Sequence, residues 1–518
     1  MRLFSSSSLI ISLTLQLVTL AFLVSGQDAP LWVQGALEDA TVEGAAYNAG
    51  GVITVNGFVM NVPENLLVQF PAAWVPWKDF VASKADFLGF ETLVIGNSIN
   101  GVPRVAQVQL YEFFEGMASG FIESIDNADG SMKIQNGPTV RINDPNGVFS
   151  VGYTGAPFMT ADDVSPSITS FSGFPMCIPR NSTDPLCPMS NRPFNGPGTF
   201  TAPDPLVMSP FLPGDFITIT GFRKGSEIIA SSIVAENVMI NTIGDLAYVR
   251  MELGLLGIDN PNPNAEIAES RFIGFVSNPR ATVALYAMDV DPCTGETTDR
   301  LIAALGLRGG RNVQNKFEYR SEILSRYTRE YKVIAEINGV PKTRVTKNGL
   351  VMGEYVQPVN VWVPGEQDVP GVPPVPFDFS QMEFLTLGVG RDDDGNLWGP
   401  INPFPQTGVL IEPPVCPEPV TPSQTATADP TVPISSVPAA EATPADQDVA
   451  PAAESNPPAA EDYVPAVEKR GSFGRWYSRT KSEAESEAEN TDTTDSPILK
   501  EPPQPPRVDL SRSRRKPE

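Results

Sequence analysis

Two stretches decide the fold: GVITVNGFVMNVP (Gly51–Pro63) and GSMKIQNGPTVRIN (Gly130–Asn143). With one slip they align, and each reads as strand, Asn-Gly turn, strand. Asn and Gly both tolerate positive φ, so the pair supplies the mirror-image turn that joins two antiparallel strands. A second similarity lies downstream of each copy. Glu91-Thr92-Leu93-Val94-Ile95-Gly96 runs through a turn at Gly101 into Arg104-Val105-Ala106-Gln107-Val108. Asp215-Phe216-Ile217-Thr218-Ile219-Thr220-Gly221 runs through Gly225 into Ile228-Ile229-Ala230-Ser231-Ser232-Ile233. Hairpin then hairpin, twice, is the signature of a duplicated β unit.

Working outward, residues 27 to 411 keep strand spacing: short runs of Val, Ile, Thr, Phe and Tyr punctuated every 8 to 12 residues by Asn-Gly, Asp-Gly or Pro. The repeated order resembles two tandem small β-barrels of the OB type, with strands that end in Gly, a fold that hosts many functions. The expected architecture is therefore mainly β: OB-like domains at 27–115 and 116–245, then a third antiparallel β domain at 246–411. In that third domain 271–276, 281–286, 316–320 and 331–337 read as strands. From about Glu412 the chain turns to Pro, Ala, Thr, Ser and Glu, a composition that buries too little apolar surface to offset chain entropy. Residues 412–518 read as a disordered tail.

The N-terminus carries Met1-Arg2, an apolar run from Leu9 to Val24, and Val24-Ser25-Gly26 before Gln27. A positive start, a short hydrophobic region and small residues at the cleavage positions make 1–26 a secretory signal peptide. The run is too short and too interrupted for a membrane span, so no transmembrane segment is expected and the protein is expected outside the cell or in the cell wall. Secretion makes the four cysteines disulfide candidates. Four cysteines allow three pairings; Cys177 and Cys187 bracket a short loop and are expected to bridge, closing a surface loop, leaving Cys293 with Cys416. That loop carries the sequon Asn181-Ser182-Thr183, a glycosylation candidate, and Lys469-Arg470 in the tail resembles a dibasic processing site.

The chain has 518 residues, no His and a net charge of −25. Without imidazole there is no Ser-His-Asp or Cys-His nucleophile and no His-ligated metal. The acidic balance argues against nucleic acid as a partner. One stretch runs against it: residues 300–347 hold eleven bases and four acids. Lys316, Arg320, Arg329, Lys332, Arg344 and Lys347, interleaved with Tyr319, Tyr327 and Tyr331, are placed on one side of a sheet, where they could hold an acidic polysaccharide, a phosphate or an acidic protein surface. The favoured reading has these cations paired with Glu318, Glu322, Glu330, Glu336 or the acidic remainder of the chain, its own tail included.

Other motifs are read as structural. Asp289-Val290-Asp291 and Asp392-Asp393-Asp394 lack the full calcium-loop pattern and are taken as turns. Trp74, Trp77 and Phe80 form a core or lid cluster, with sugar stacking the alternative, and Gly306 to Asn312 lacks the phosphate-loop order. No metal site, cofactor or catalytic residue is assigned. The function expected is a secreted non-catalytic binding or structural protein. The competing class is a carboxylate-dependent enzyme acting on extracellular polysaccharide, which needs two facing carboxyls in a cleft.

Overall fold

The computed structural model describes residues 28–110, 117–193, 195–258, 270–308, 315–321, 326–358, 361–364, 371 and 373–417. The signal-peptide stretch, the tail beyond residue 417 with Lys469 and Arg470, and most of the Gly306–Asn312 motif lie outside them. The chain is mainly β. Its first unit holds β1 (Ala29–Val42), β2 (Gly51–Val55), β3 (Phe58–Val62), β4 (Leu67–Phe70), β5 (Ala73–Pro76), a short helix (Trp77–Ala82), β6 (Glu91–Ile99) and β7 (Val102–Leu110). β1 pairs with β2 and β6, β2 with β3, and β6 with β7, all antiparallel; the parallel β3–β7 contact closes a five-strand ring.

The second unit holds β8 (Met117–Asp126), β9 (Ser131–Ile134), β10 (Thr139–Ile142), β11 (Ile168–Ser170), β12 (Met176–Cys177), β13 (Gly198–Thr201), β14 (Ser209–Pro210), β15 (Phe216–Lys224), β16 (Glu227–Ala235) and β17 (Val238–Asn241). Here β8-β9-β10-β16-β15 closes a ring in the same order, again through one parallel pair, β10–β16. The aligned stretches of sequence occupy equivalent ring positions: β2–β3 against β9–β10, and β6–β7 against β15–β16. Asn56-Gly57 and Asn100-Gly101 turn with φ of 48° and 75°, and of 54° and 77°, the left-handed values this dipeptide favours.

Gly96 and Gly221 do not end their strands, as their spacing suggests. Each sits inside one, at a shift of register with its neighbour, β6 with β7 and β15 with β16. A Cβ at Gly96 would lie 2.0 Å from the Arg104 carbonyl oxygen, and one at Gly221 2.1 Å from that of Ile229. Only glycine admits that approach, and the bulge it permits bends a strand around a small barrel.

Between the third and fourth ring strands the two units diverge. The first inserts the β4–β5 hairpin and the short helix. The second inserts residues 143 to 215, which contain the Cys177–Cys187 bridge. Both cysteines are fully buried among Phe149, Phe174 and Ile178, and the loop they close reaches the surface at its tip with Asn181. Apolar neighbours on both sides of β12 draw the bridge inward, and a buried pair within the insertion ties it just before β15, with Arg192 donating to both carboxylate oxygens of Asp215 at 2.6 and 3.0 Å.

The third unit holds β18 (Val249–Ile258), β19 (Ser270–Val276), β20 (Ala281–Val290), β21 (Thr297–Leu305), β22 (Lys316–Ser321), β23 (Glu330–Ile337), the short β24 (Val340–Pro341), β25 (Arg344–Val345) and β26 (Val351–Met352), then β27 (Glu354–Pro358) and β28 (Val361–Pro364). One sheet runs β22-β19-β18-β28; the other joins β21, β20, β23 and β24, with β27 on β23. Phe272 and Phe317 of the first sheet share a core with Val283, Leu285, Val333 and Ala335 of the second, and with Leu93, Ile95 and Ala106 of the first ring. β6 is accordingly apolar on both faces: Val94 fills the ring while Leu93 and Ile95 pack outward.

After β28 the chain returns across the first ring. Asn97 donates to the Phe377 carbonyl at 3.0 Å and accepts from its N–H at 2.8 Å; Asn65 donates to Pro400 at 2.7 Å and Tyr47 to Leu397 at 2.6 Å. Cys293–Cys416 fastens the end of this strap to the β20–β21 turn. Among the described residues no helix is long and apolar enough to cross a membrane.

Candidate anion-binding surface

The alternation Lys316-Phe317-Glu318-Tyr319-Arg320 sorts β22 into two faces. Phe317 and Tyr319 turn into the core, so Lys316, Glu318 and Arg320 turn outward. Antiparallel register with β19 sets Arg271 opposite Arg320, Ile273 opposite Glu318 and Phe275 opposite Lys316. Glu318 Oε1 accepts from Arg271 Nε at 3.1 Å and Nη2 at 2.9 Å. Its Oε2 lies 2.8 Å from Arg308 Nη2 and 3.9 Å from Lys316 Nζ. Arg308 is brought there by its own backbone, whose N–H donates to the Lys316 carbonyl at 2.8 Å.

One carboxylate thus serves three cations. Its side chain is 6% exposed, against 59% for Arg308, 36% for Arg271 and 24% for Lys316. Burial pushes the Glu318 carboxyl up, but the Arg271 hydrogen bonds and the charges of Arg308, Arg271 and Lys316 outweigh it and hold the group below the usual carboxylate range. At the far end of the same face Arg250 stacks 4.8 Å over Phe275 and donates to the Phe171 carbonyl at 2.9 Å. Its burial lowers its affinity for a proton.

Arg329, Lys332, Arg344 and Lys347 do not join this face. Arg344 belongs to a second cluster: Asp245 pairs with Lys342, lies 4.0 Å from Arg344 Nη2, and neighbours Arg280, which donates to the Gly244 carbonyl at 2.8 Å. Here the carboxylate is 41% exposed. The hydrogen bond from Lys342 leads in holding it below its usual range, over a small opposing effect of burial. Lys347 lies 3.2 Å from Asp204, and Lys332 pairs with Asp299. Arg329 is buried, its guanidinium 4.8 Å above the Trp74 ring.

The single basic sheet face expected from the sequence therefore divides: Lys316 and Arg320 turn outward on β22, Lys316 in the Glu318 cluster, Arg344 joins the Asp245 cluster, Arg329 is buried, and Lys332 and Lys347 sit in separate pairs. The partners are the carboxylates of Glu318, Asp245, Asp204 and Asp299. Three of these four lie outside 300–347, where a scan of local sequence does not look. The interleaved tyrosines serve the core, Tyr327 and Tyr331 being buried and Tyr319 packed against it. Arg271 and Arg280 escape a reading of the sequence because they precede the dense stretch, although the alternation in Arg271-Phe272-Ile273 gives Arg271 an outward position.

Trp74, Trp77 and Phe80 are buried in the first core, with Trp77 Nε1 donating to the Thr41 carbonyl at 3.0 Å. The Asp-rich segments are turn-makers. Asp291 Oδ1 accepts from the N–H groups of Cys293 and Thr294 at 2.8 and 2.9 Å; Asp392 accepts from the Asn396 N–H at 2.8 Å and Trp398 Nε1 at 2.9 Å. Asp289 is occupied by Arg300 at 2.8 Å and Arg326 at 3.2 Å.

No protein-family model and no curated protein matches this chain.

Proposed function

We propose that this is a secreted, non-catalytic binding or structural protein of the extracellular space, cell wall or cell surface, holding an acidic polysaccharide or acidic protein partner on the cationic face of β19–β22. We also assign its two rings, on strand order alone, to the OB type. The observation that carries the functional reading is the Glu318 cluster: three cations gathered on one carboxylate, in a chain whose net charge is −25. Two disulfides support an oxidising compartment, as does the signal-like N-terminus.

The same compartment would modify Asn181. Its side chain is exposed at the loop tip, and its Oδ1 accepts from the Thr183 N–H at 2.9 Å and hydroxyl at 3.0 Å. Endoglycosidase treatment of the secreted chain should shift its mass, and Asn181→Gln should remove the shift. For binding, the full secreted chain is passed over immobilised anionic polysaccharides and polypeptides while salt is raised. Retention that falls with salt supports the reading, since exposed charge contacts are screened within about 10 Å at 0.1 M. Absence of salt-sensitive retention on every anionic polymer would overturn it.

A further inference from the structure

We propose that the space between Arg271, Arg308 and Lys316 is a subsite for a sulfate ester of an acidic polysaccharide, with Glu318 as its resident counter-ion. The inference rests on the binding role proposed above and narrows it to one site and one ligand chemistry.

A carboxylate offers two oxygens. Glu318 gives one to Arg271 and the other to Arg308, and Lys316 Nζ is left 3.9 Å away, beyond hydrogen-bond length. Three cations converge on one carboxylate, which lies within hydrogen-bond distance of two of them. A sulfate ester presents three terminal oxygens arranged as a tripod, one for each cation.

The cations are also held in place in the absence of ligand. Like charges gathered at this spacing repel, and exposed Arg and Lys side chains otherwise sample many rotamers. Glu318 neutralises one of the three charges and fixes Arg271 through two hydrogen bonds. Lys316 and Arg308 are tied to each other through the backbone hydrogen bond between them. Arg271 is thus ordered before a ligand arrives, with Arg308 and Lys316 set beside it by the backbone, and less entropy is lost on binding. Arg308, the most exposed of the three, is the side that an incoming group meets first.

The third terminal oxygen also separates a sulfate ester from the carboxylates of an acidic protein surface, which carry two. Sulfated polysaccharides present the tripod on a flexible chain, repeated along its length, so that neighbouring sites on one polymer raise the effective concentration.

The test uses the full secreted chain and four immobilised polymers: a sulfated polysaccharide, a uronate polysaccharide of equal charge density, a phosphorylated polysaccharide and poly-glutamate. The proposal expects retention on the sulfated polymer to exceed that on the uronate polymer and poly-glutamate by about tenfold in affinity, the difference of one charge-assisted contact. Phosphate shares the tripod, and equal or tighter retention on the phosphorylated polymer would overturn sulfate as the ligand. Arg308→Ala and Lys316→Ala are expected to weaken sulfated-polymer binding by about tenfold each, and Glu318→Gln, which removes the competing anion, to strengthen it. Lys342→Ala is expected to leave it unchanged.

Equal binding of uronate or poly-glutamate, or full binding by both Arg308→Ala and Lys316→Ala, overturns the subsite while leaving a binding role in place. No binding to any of the four polymers overturns both. Arg308 is mostly exposed and its replacement leaves the core intact, and unchanged thermal unfolding of that variant confirms that a lost affinity belongs to the site.

Discussion

The two cationic clusters are built from the same parts and differ in what surrounds the acid. Each gathers arginine and lysine near a single carboxylate. Glu318 springs from the middle of a strand, has its side chain largely covered, and receives two hydrogen bonds from one guanidinium. Asp245 sits in a turn, is open to water, and is met by the flexible ends of Lys342 and Arg344. Charge count alone would rank them as equals. Position decides otherwise: a β-strand fixes Cα spacing and side-chain direction, so cations at paired positions arrive with little freedom left to lose, whereas an exposed loop pair gains little beyond its screened attraction.

The largest expected consequence is on stability. Glu318→Ala leaves three cations facing one another and removes their hydrogen-bond acceptor, and should cost about 1–3 kcal/mol. Asp245→Ala should cost no more than about 1 kcal/mol, the range of exposed pairs. Denaturant unfolding of the two variants checks this, and equal losses would erase the distinction between the clusters.

Next in size is the response to salt. A double-mutant cycle on Asp245 and Lys342 should show coupling that falls toward zero near 1 M salt, where the screening length is about 3 Å. The cycle on Glu318 and Arg271 should retain most of its coupling, because direct hydrogen bonds at 2.9 Å leave no room for intervening ions.

A smaller effect appears with acid. Both carboxyls are held below their ordinary range in the folded state, so each contributes stability that is fully present above the unfolded carboxylate pKa, about 4.3 for Glu and 3.9 for Asp. That contribution is lost as pH falls through the folded value. The stability gap between the native chain and Glu318→Gln should therefore stay constant at neutral pH and close below about pH 4. Lys347→Ala should change least: its partner Asp204 is 44% exposed, the pair is solitary, and the expected shift is within about 0.5 kcal/mol.

The hairpins of the two rings were legible from the sequence because each is local, whereas ring closure through the parallel β3–β7 and β10–β16 pairs joins strands far apart in the chain. The stretches at 51–63 and 130–143 are hairpins in their own right, and equivalent hairpins took equivalent places. The functions of Gly96 and Gly221 were not legible, since a bulge is defined by the neighbouring strand's carbonyl and that neighbour's register is not written locally. The same reason explains the basic stretch. Alternation correctly put Lys316, Glu318 and Arg320 on one side of β22, yet Arg271 reaches Glu318 only through the β19–β22 register, and Asp245 reaches Lys342 across 97 residues. Arg329 follows its parity into the interior, where Trp74 of β5 in the first unit provides the surface it stacks on. The pairing Cys293–Cys416 could be reached by elimination; that it fastens a strap laid over the first ring needed Asn97, Asn65 and Tyr47 in place.

The most direct test of the account is to follow the arginine Nε–H resonances of the full chain by NMR while a short sulfated oligosaccharide is added. The account predicts that Arg271 and Arg308 shift together and saturably while Arg280 and Arg344 stay in place. Shifts confined to Arg280 and Arg344, or equal drift of all four with rising salt, would contradict it.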